Sequence, residues 1–150
     1  VKSLGADEII NYKTEKFEEI LKDYDAVFDT LGGKTLEKSF NVIKNGGKIV
    51  SVSGLPNARF AKEYGSGFFK TMLFSAASYK LTTLEKKHNV QYTFLFLKAS
   101  GDQLRIIANF IESGKIKPVI DRVFSFKDAQ KAMEYLESGR AKGKIILKIK

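Results

Sequence analysis

The chain has 150 residues, 43% of them hydrophobic, and a formal net charge of +9. That is one domain's length with apolar content enough for a core, which excludes a disordered tail. With no cysteine and one histidine, His88, it also excludes disulfides, a thiol nucleophile and any cysteine or three-histidine zinc cage within the chain.

The chain opens on "VKSLGADEIINY", without methionine and with the look of a helix's last turn, as if the sequence began inside a domain. The first strand is expected at Glu8–Tyr12. Phe17, Ile20, Leu21 and Tyr24 then recur at the spacing of one helical face. "YDAVFDTLGG" follows, with a strand at Asp25–Thr30 that breaks on Gly32 and Gly33. A helix over Thr35–Lys44 is expected to stop at Gly46-Gly47, where glycine takes a left-handed turn. The next strand, Lys48–Ser53, ends on Gly54. Ala26–Phe28 and Ile49–Val52 are nearly continuous apolar runs, as in parallel strands covered on both faces.

Leu55–Gln91 is the least patterned stretch. Its "FFKTMLFSAASYKL" is too short to span a bilayer and carries Lys70 and Lys80. A strand at Gln91–Leu97 follows, then a helix whose face is Leu104, Ile107, Ala108 and Ile111. "IESG" and, later, "LESG" (Leu136–Gly139) are matching helix stops. Beyond Pro118 the pattern is strand (Val119–Phe124), helix (Ala129, Ala132, Met133, Leu136) and strand (Lys144–Ile149), with "SFKD" as the helix's N-terminal cap. In "KGKIILKIK" the lysines at 142, 144, 148 and 150 alternate with Ile145, Leu147 and Ile149, so the positive charge reads as the wet face of a half-buried strand. Acidic residues interleave along the whole chain, which argues against a nucleic-acid stripe and leaves polyanion or RNA binding as the alternative class.

Strand–helix alternation predicts an α/β fold with a parallel sheet, and Pro118 marks a domain boundary, giving 1–117 and 118–150. Ligands of open parallel sheets bind beyond the carboxyl ends of the strands, and two strands here end on glycine at comparable places. Asp29 sits at one such end, where a carboxylate either meets a ligand hydroxyl or accepts the turn's own N–H groups; the structural role is favoured. A strand–GxGxxG–helix fingerprint is absent, since the "GSG" at Gly65–Gly67 follows no strand.

Taken together, "VKSLGADEIINY", "YDAVFDTLGG", "GGKIVSVSG", "GKIKPVIDRVF" and "GRAKGKIILKI" resemble the C-terminal half of the medium-chain dehydrogenase/reductase family, in its quinone oxidoreductase branch. The resemblance covers the whole chain in order. It implies a partial Rossmann-type doubly wound sheet lacking its first strand and glycine fingerprint, followed by a short strand–helix–strand return into a catalytic domain. It implies NADPH as cofactor, a quinone, enone or related carbonyl compound as substrate and no zinc within this chain; a cytoplasmic protein without membrane segments is the default expectation from composition and the short apolar run. By position, Tyr12 and Arg140 match residues near the adenosine 2′-phosphate, with Lys142 a weaker match. Thr30, Leu31 and Gly32, with Ser53, Gly54 and Leu55, match loops along the cofactor. Thr93 to Phe96 match the strand whose backbone meets the nicotinamide amide, with Phe94, Leu95 and Phe96 as the contact candidates. Arg140 also suits a structural role past a helix C-terminus, where a cation meets the helix dipole. No general acid is assignable: His88 lies in polar "EKKHNV" and is expected to be exposed, and Tyr64 and Tyr79 are substrate-facing candidates on position alone. The apolar edge strand near Tyr92–Leu97 implies a homodimer that continues the sheet across two subunits. A methyltransferase with a related sheet is a weaker competitor, for want of an acidic ribose ligand after the second strand.

Overall fold

The computed structural model describes residues 1–149, arranged as two compact units, Val1–Leu97 and Lys98 to the C-terminus. The sequence reading puts the domain boundary at Pro118; the compact units divide earlier.

The first unit begins with a 3-10 turn, Lys2–Leu4. The strand expected at Glu8–Tyr12 does not form. Asn11 is drawn into a local turn instead: its carbonyl accepts from Thr14 and Glu15 N–H at 3.0 and 2.8 Å, and its side chain accepts from Lys13 N–H at 3.2 Å. Extended backbone without a ladder partner has nowhere to place its N–H and C=O groups, and an asparagine offers them a nearby alternative. The helix expected to run toward Tyr24 is one turn, α1 (Phe17–Ile20); Leu21 is extended and Asp23 has φ +61°.

Tyr24 instead opens β1 (Tyr24–Asp29). Then come α2 (Gly33–Ser39) and β2 (Ile43–Ser51). The helix therefore stops well before Lys44, and Gly46-Gly47 lies inside a strand. Between Tyr24↔Ile43 and Ala26↔Lys48 the register slips, a bulge in which Gly46 takes φ +78° and gives its N–H to the Asn89 carbonyl at 2.8 Å. The glycine pair serves the sheet, not the helix end.

The Leu55–Gln91 stretch folds into α3 (Ala58–Glu63), α4 (Phe68–Ala77) and α5 (Tyr79–His88), ahead of β3 (Gln91–Phe94). The three strands are parallel in the order β1–β2–β3, so β3 is an edge as expected, although it ends at Phe94 and not Leu97. Register places Val27, Ile49 and Tyr92 side by side on one face, and Phe28, Val50 and Thr93 on the other. The first face is the core, where Leu36 of α2, Phe40 just past that helix, Leu81 of α5 and Val90 close over Ile49 and Tyr92. The second is not covered as the apolar runs led us to expect, for Phe28 is 65% exposed. An apolar run shows that a strand suits burial on both sides; it does not supply the second layer.

The second unit holds α6 (Gly101–Glu112), β4 (Ile120–Ser125), a 3-10 turn at Phe126–Asp128, α7 (Ala129–Glu137) and β5 (Lys144–Lys148). The strand–helix–strand pattern beyond Pro118 is present, with β4 and β5 parallel. Gly114 and Gly139 both take left-handed φ just past their helices, as the matching stops predicted. "SFKD" works differently from a helix cap: the Ser125 hydroxyl donates to Asp128 at 2.8 Å across the 3-10 turn, and α7 starts with no side-chain cap bond. Tyr135 of α7 donates its hydroxyl to Asp121 at 2.9 Å and lies beneath the Arg122 guanidinium, 4.1 Å from its ring centre, which ties helix to strand.

Candidate functional site

Because the strands are parallel and adjacent, their carboxyl ends share one rim. That rim gathers Thr30, Leu31 and Gly32 after β1, Ser53, Gly54 and Leu55 after β2, and Phe94, Leu95 and Phe96 at the end of β3. A buried network holds the loops there. The Asp29 carboxylate, 4% exposed, accepts from Leu31 N–H at 3.2 Å and from Gly32 N–H at 3.1 Å. It also accepts the Ser51 hydroxyl at 2.5 Å. Ser51 Oγ in turn accepts from Ser53 and Gly54 N–H at 3.2 and 2.7 Å, and the Ser51 carbonyl accepts from Leu95 N–H at 2.9 Å. The Ser53 hydroxyl donates to the Thr30 carbonyl at 2.8 Å, and the Tyr92 hydroxyl to the Leu55 carbonyl at 2.9 Å. Of the two roles open to Asp29, the one found is the acceptance of its own turn's N–H groups.

Both rim glycines are required by close approach. A Cβ on Gly32, which has φ +70°, would stand 2.4 Å from the Ser53 carbonyl oxygen; one on Gly54 would meet the Tyr92 hydroxyl at 2.2 Å. Burial raises the Tyr92 phenol to about 12, with Ser51 the chief opposing influence. Outside this network the rim is apolar and wet, with Leu31 75% exposed and Leu55, Leu95 and Phe96 about half exposed. An aromatic group flanks the end of β3. Phe60 stacks on Tyr64 with centroids 4.2 Å apart and meets Phe94 and Phe96 edge-on at 5.2 and 6.0 Å.

Leu31 also lines a cavity of about 370 Å³ with Tyr12, Thr35, Lys16 and Lys38. Tyr12 is thus beside the first rim loop, largely exposed. Lys38 and Lys16 are held there by Glu18 and Glu19 at 2.6 and 2.7 Å. Arg140 and Lys142 lie in the second unit, exposed, after the end of α7. His88 is not the exposed residue expected: it is half-buried in the last turn of α5, its ring 6.2 Å from that of Phe40. Tyr79 is exposed at the start of α5. The sequence reading missed Ser51 and Tyr92. Their signal is position: each is a polar-tipped residue on the inward parity of a strand, Ser51 at the carboxyl end of β2 and Tyr92 two residues before that of β3.

The outer edge of β3 is partly occupied. The Tyr92 N–H, pointing away from β2, donates to Glu85 at 2.8 Å, and its carbonyl accepts from Asn57 and Arg59 at 3.4 and 3.1 Å. Among the described residues no three His, Asp or Glu side chains cluster as a metal site would require, and no helix is long and apolar enough to cross a membrane.

Residues 4–147 match the sequence profile of a family described as zinc-binding dehydrogenase. A 2-methylene-furan-3-one reductase of Solanum lycopersicum is 32% identical over 98% of this chain, which covers 30% of that protein. An NADPH-dependent alkenal/one oxidoreductase, chloroplastic, of Arabidopsis thaliana is 32% identical, again over 98% of this chain and 30% of its own length. Among solved structures, the quinone oxidoreductase from Coxiella burnetii superposes on 99% of this chain with a TM-score of 0.75 at 25% identity, and 41% of that chain is covered. The chain thus spans less than half the length of these relatives.

Proposed function

Because the chain belongs to the zinc-binding dehydrogenase family, we propose that it is the C-terminal part of an NADPH-dependent oxidoreductase that reduces a quinone, enone or related carbonyl compound. The observation that carries this reading is the shared rim, where three loops from adjacent parallel strands converge behind one buried carboxylate. When bound, NADPH supplies the hydride. The chain's own residues bind and orient. Thr30–Gly32 and Ser53–Leu55 present backbone and the apolar side chains of Leu31 and Leu55 along the cofactor. The backbone of Phe94, Leu95 and Phe96 is assigned to the nicotinamide amide. Arg140 is the candidate for the 2′-phosphate, whose oxygens suit a bidentate guanidinium, with Lys142 a second cation of the same unit.

Within the same reading, residues 1–117 belong to a nucleotide-binding domain and 118–150 to the return into a catalytic domain, in a cytoplasmic homodimer. The outward groups of Tyr92 are engaged within the chain, so the proposed pairing with a second copy is assigned to Phe94 and the residues after it. The test is a titration of the full-length protein with NADPH, followed by NADPH oxidation at 340 nm with an alkenone and with a quinone. Saturable NADPH binding and turnover of either acceptor support the reading; absence of NADPH binding removes it.

A further inference from the structure

We infer that Asp29 and Ser51 are positioning residues that set the three rim loops in mutual register, an inference that rests on the oxidoreductase reading above. The two side chains form one clasp. Asp29 holds the first loop through Leu31 and Gly32 N–H, Ser51 holds the second through Ser53 and Gly54 N–H, and the 2.5 Å bond between them joins the two. The third loop hangs on the same residue through Leu95 N–H and the Ser51 carbonyl.

The proton inventory fixes the direction of the central bond. A hydroxyl has one hydrogen and two lone pairs. Ser51 Oγ already accepts twice, from Ser53 and Gly54, so its hydrogen must go to Asp29. The carboxylate must then be acceptor-only, because its other bonds come from backbone N–H groups. An amide at position 29 has no satisfactory orientation: its NH2 faces either a backbone N–H or a hydroxyl with no free lone pair. Asp29 thus acts on the cofactor loops without facing the cofactor, and the second and third loops feel it through Ser51.

The test uses the full-length protein with Asp29→Asn and Ser51→Ala. Hydrogen exchange at the Leu31, Gly32, Ser53, Gly54 and Leu95 amides is read alongside NADPH affinity, corrected for the fraction able to bind. In the wild type these amides should exchange as one cooperative set. In Asp29→Asn, Ser53 and Gly54 should speed up although Asp29 does not touch them, and the NADPH Kd should rise about tenfold or more. Exchange confined to the Leu31–Gly32 turn overturns the clasp, as does an unchanged Kd at reduced binding capacity, the mark of a merely structural role. Should Asp29→Asn fail to fold, Ser51→Ala is read at the Leu31 and Gly32 amides, which the Ser51 side chain does not touch: they should speed up with the same rise in Kd, and exchange confined to Ser53 and Gly54 overturns the clasp. A wild type that binds no NADPH removes the functional reading, while exchange reports on the clasp by itself.

Discussion

The Tyr92 hydroxyl donates to the Leu55 carbonyl at 2.9 Å, so a fully buried ring on the edge strand secures the loop that follows the central strand. Tyr92→Phe keeps the ring and removes the bond, leaving that carbonyl without this donor. The expected cost is about 1 kcal/mol, read by chemical denaturation at pH 7.

The same pair has a pH signature. Burial holds the folded phenol at about 12, above its ordinary value near 10. A raised folded pKa means the contribution is whole below about pH 10 and is lost as pH climbs through about 12. The wild-type-minus-Tyr92→Phe stability difference should therefore be flat from pH 7 to 9 and shrink above 10. A difference that grows with alkalinity would contradict the burial argument.

Gly54→Ala should be among the most damaging single methyl additions in the chain. Its Cβ would stand 2.2 Å from the Tyr92 hydroxyl, 2.8 Å from Leu36 Cδ2 and 2.9 Å from Ser51 Oγ, all in the core or the clasp. Overpacking of this kind costs ~1–3 kcal/mol or more. Gly33→Ala, next to the rim in open space but at φ +53°, should cost less, about 1 kcal/mol. Comparing the two melting curves separates contact from backbone strain.

Arg140→Ala in the full-length protein should weaken NADPH by about tenfold or more and leave NADH nearly unchanged, since the two differ by the phosphate a guanidinium would grip. Fluorescence titration of both dinucleotides reads it. Equal losses would return Arg140 to its other role, beyond the C-terminus of α7.

Phe96→Pro should shift the full-length protein from dimer to monomer in light scattering. Phe96 lies two residues past the end of β3, in the stretch proposed to meet a second copy, and proline removes its N–H. Because the Phe96 backbone is also assigned to the nicotinamide amide, NADPH affinity should fall as well, so the dimer is read from the scattering mass alone. A mass unaltered by the substitution would place any subunit contact elsewhere.

Long periodic patterns carried most of what the sequence made legible. The amphipathic faces of α6 and α7, the glycine stops at Gly114 and Gly139, and the strands at Ala26–Phe28 and Ile49–Ser51 all appear close to where spacing put them. Local ambiguity produced the misses. Gly46-Gly47 is equally good as a helix stop and as a bulge, and the choice between them was made by pairing with Tyr24–Ala26, a contact no local window contains. Glu8–Tyr12 has strand-like residues, but a strand exists only beside another. Two of the three rim loops were legible because "FDTLGG" and "VSVSG" each carry their own glycine signal, while Phe94–Phe96 came only from the family resemblance. Ser51 and Tyr92 were not, because their meaning arises from register across β1, β2 and β3: neither residue announces that it will stand beside Asp29 or Leu55.

The sheet clothed on a single side has a practical outcome. Phe28, Val52 and Leu95 meet water where a second layer would otherwise lie, at 65%, 41% and 51% exposure. A polypeptide of these 150 residues prepared alone should bind the dye ANS while still folded, and its light scattering should rise with concentration. Swapping Phe28 for lysine ought to quiet both signals without touching the buried half of the strand.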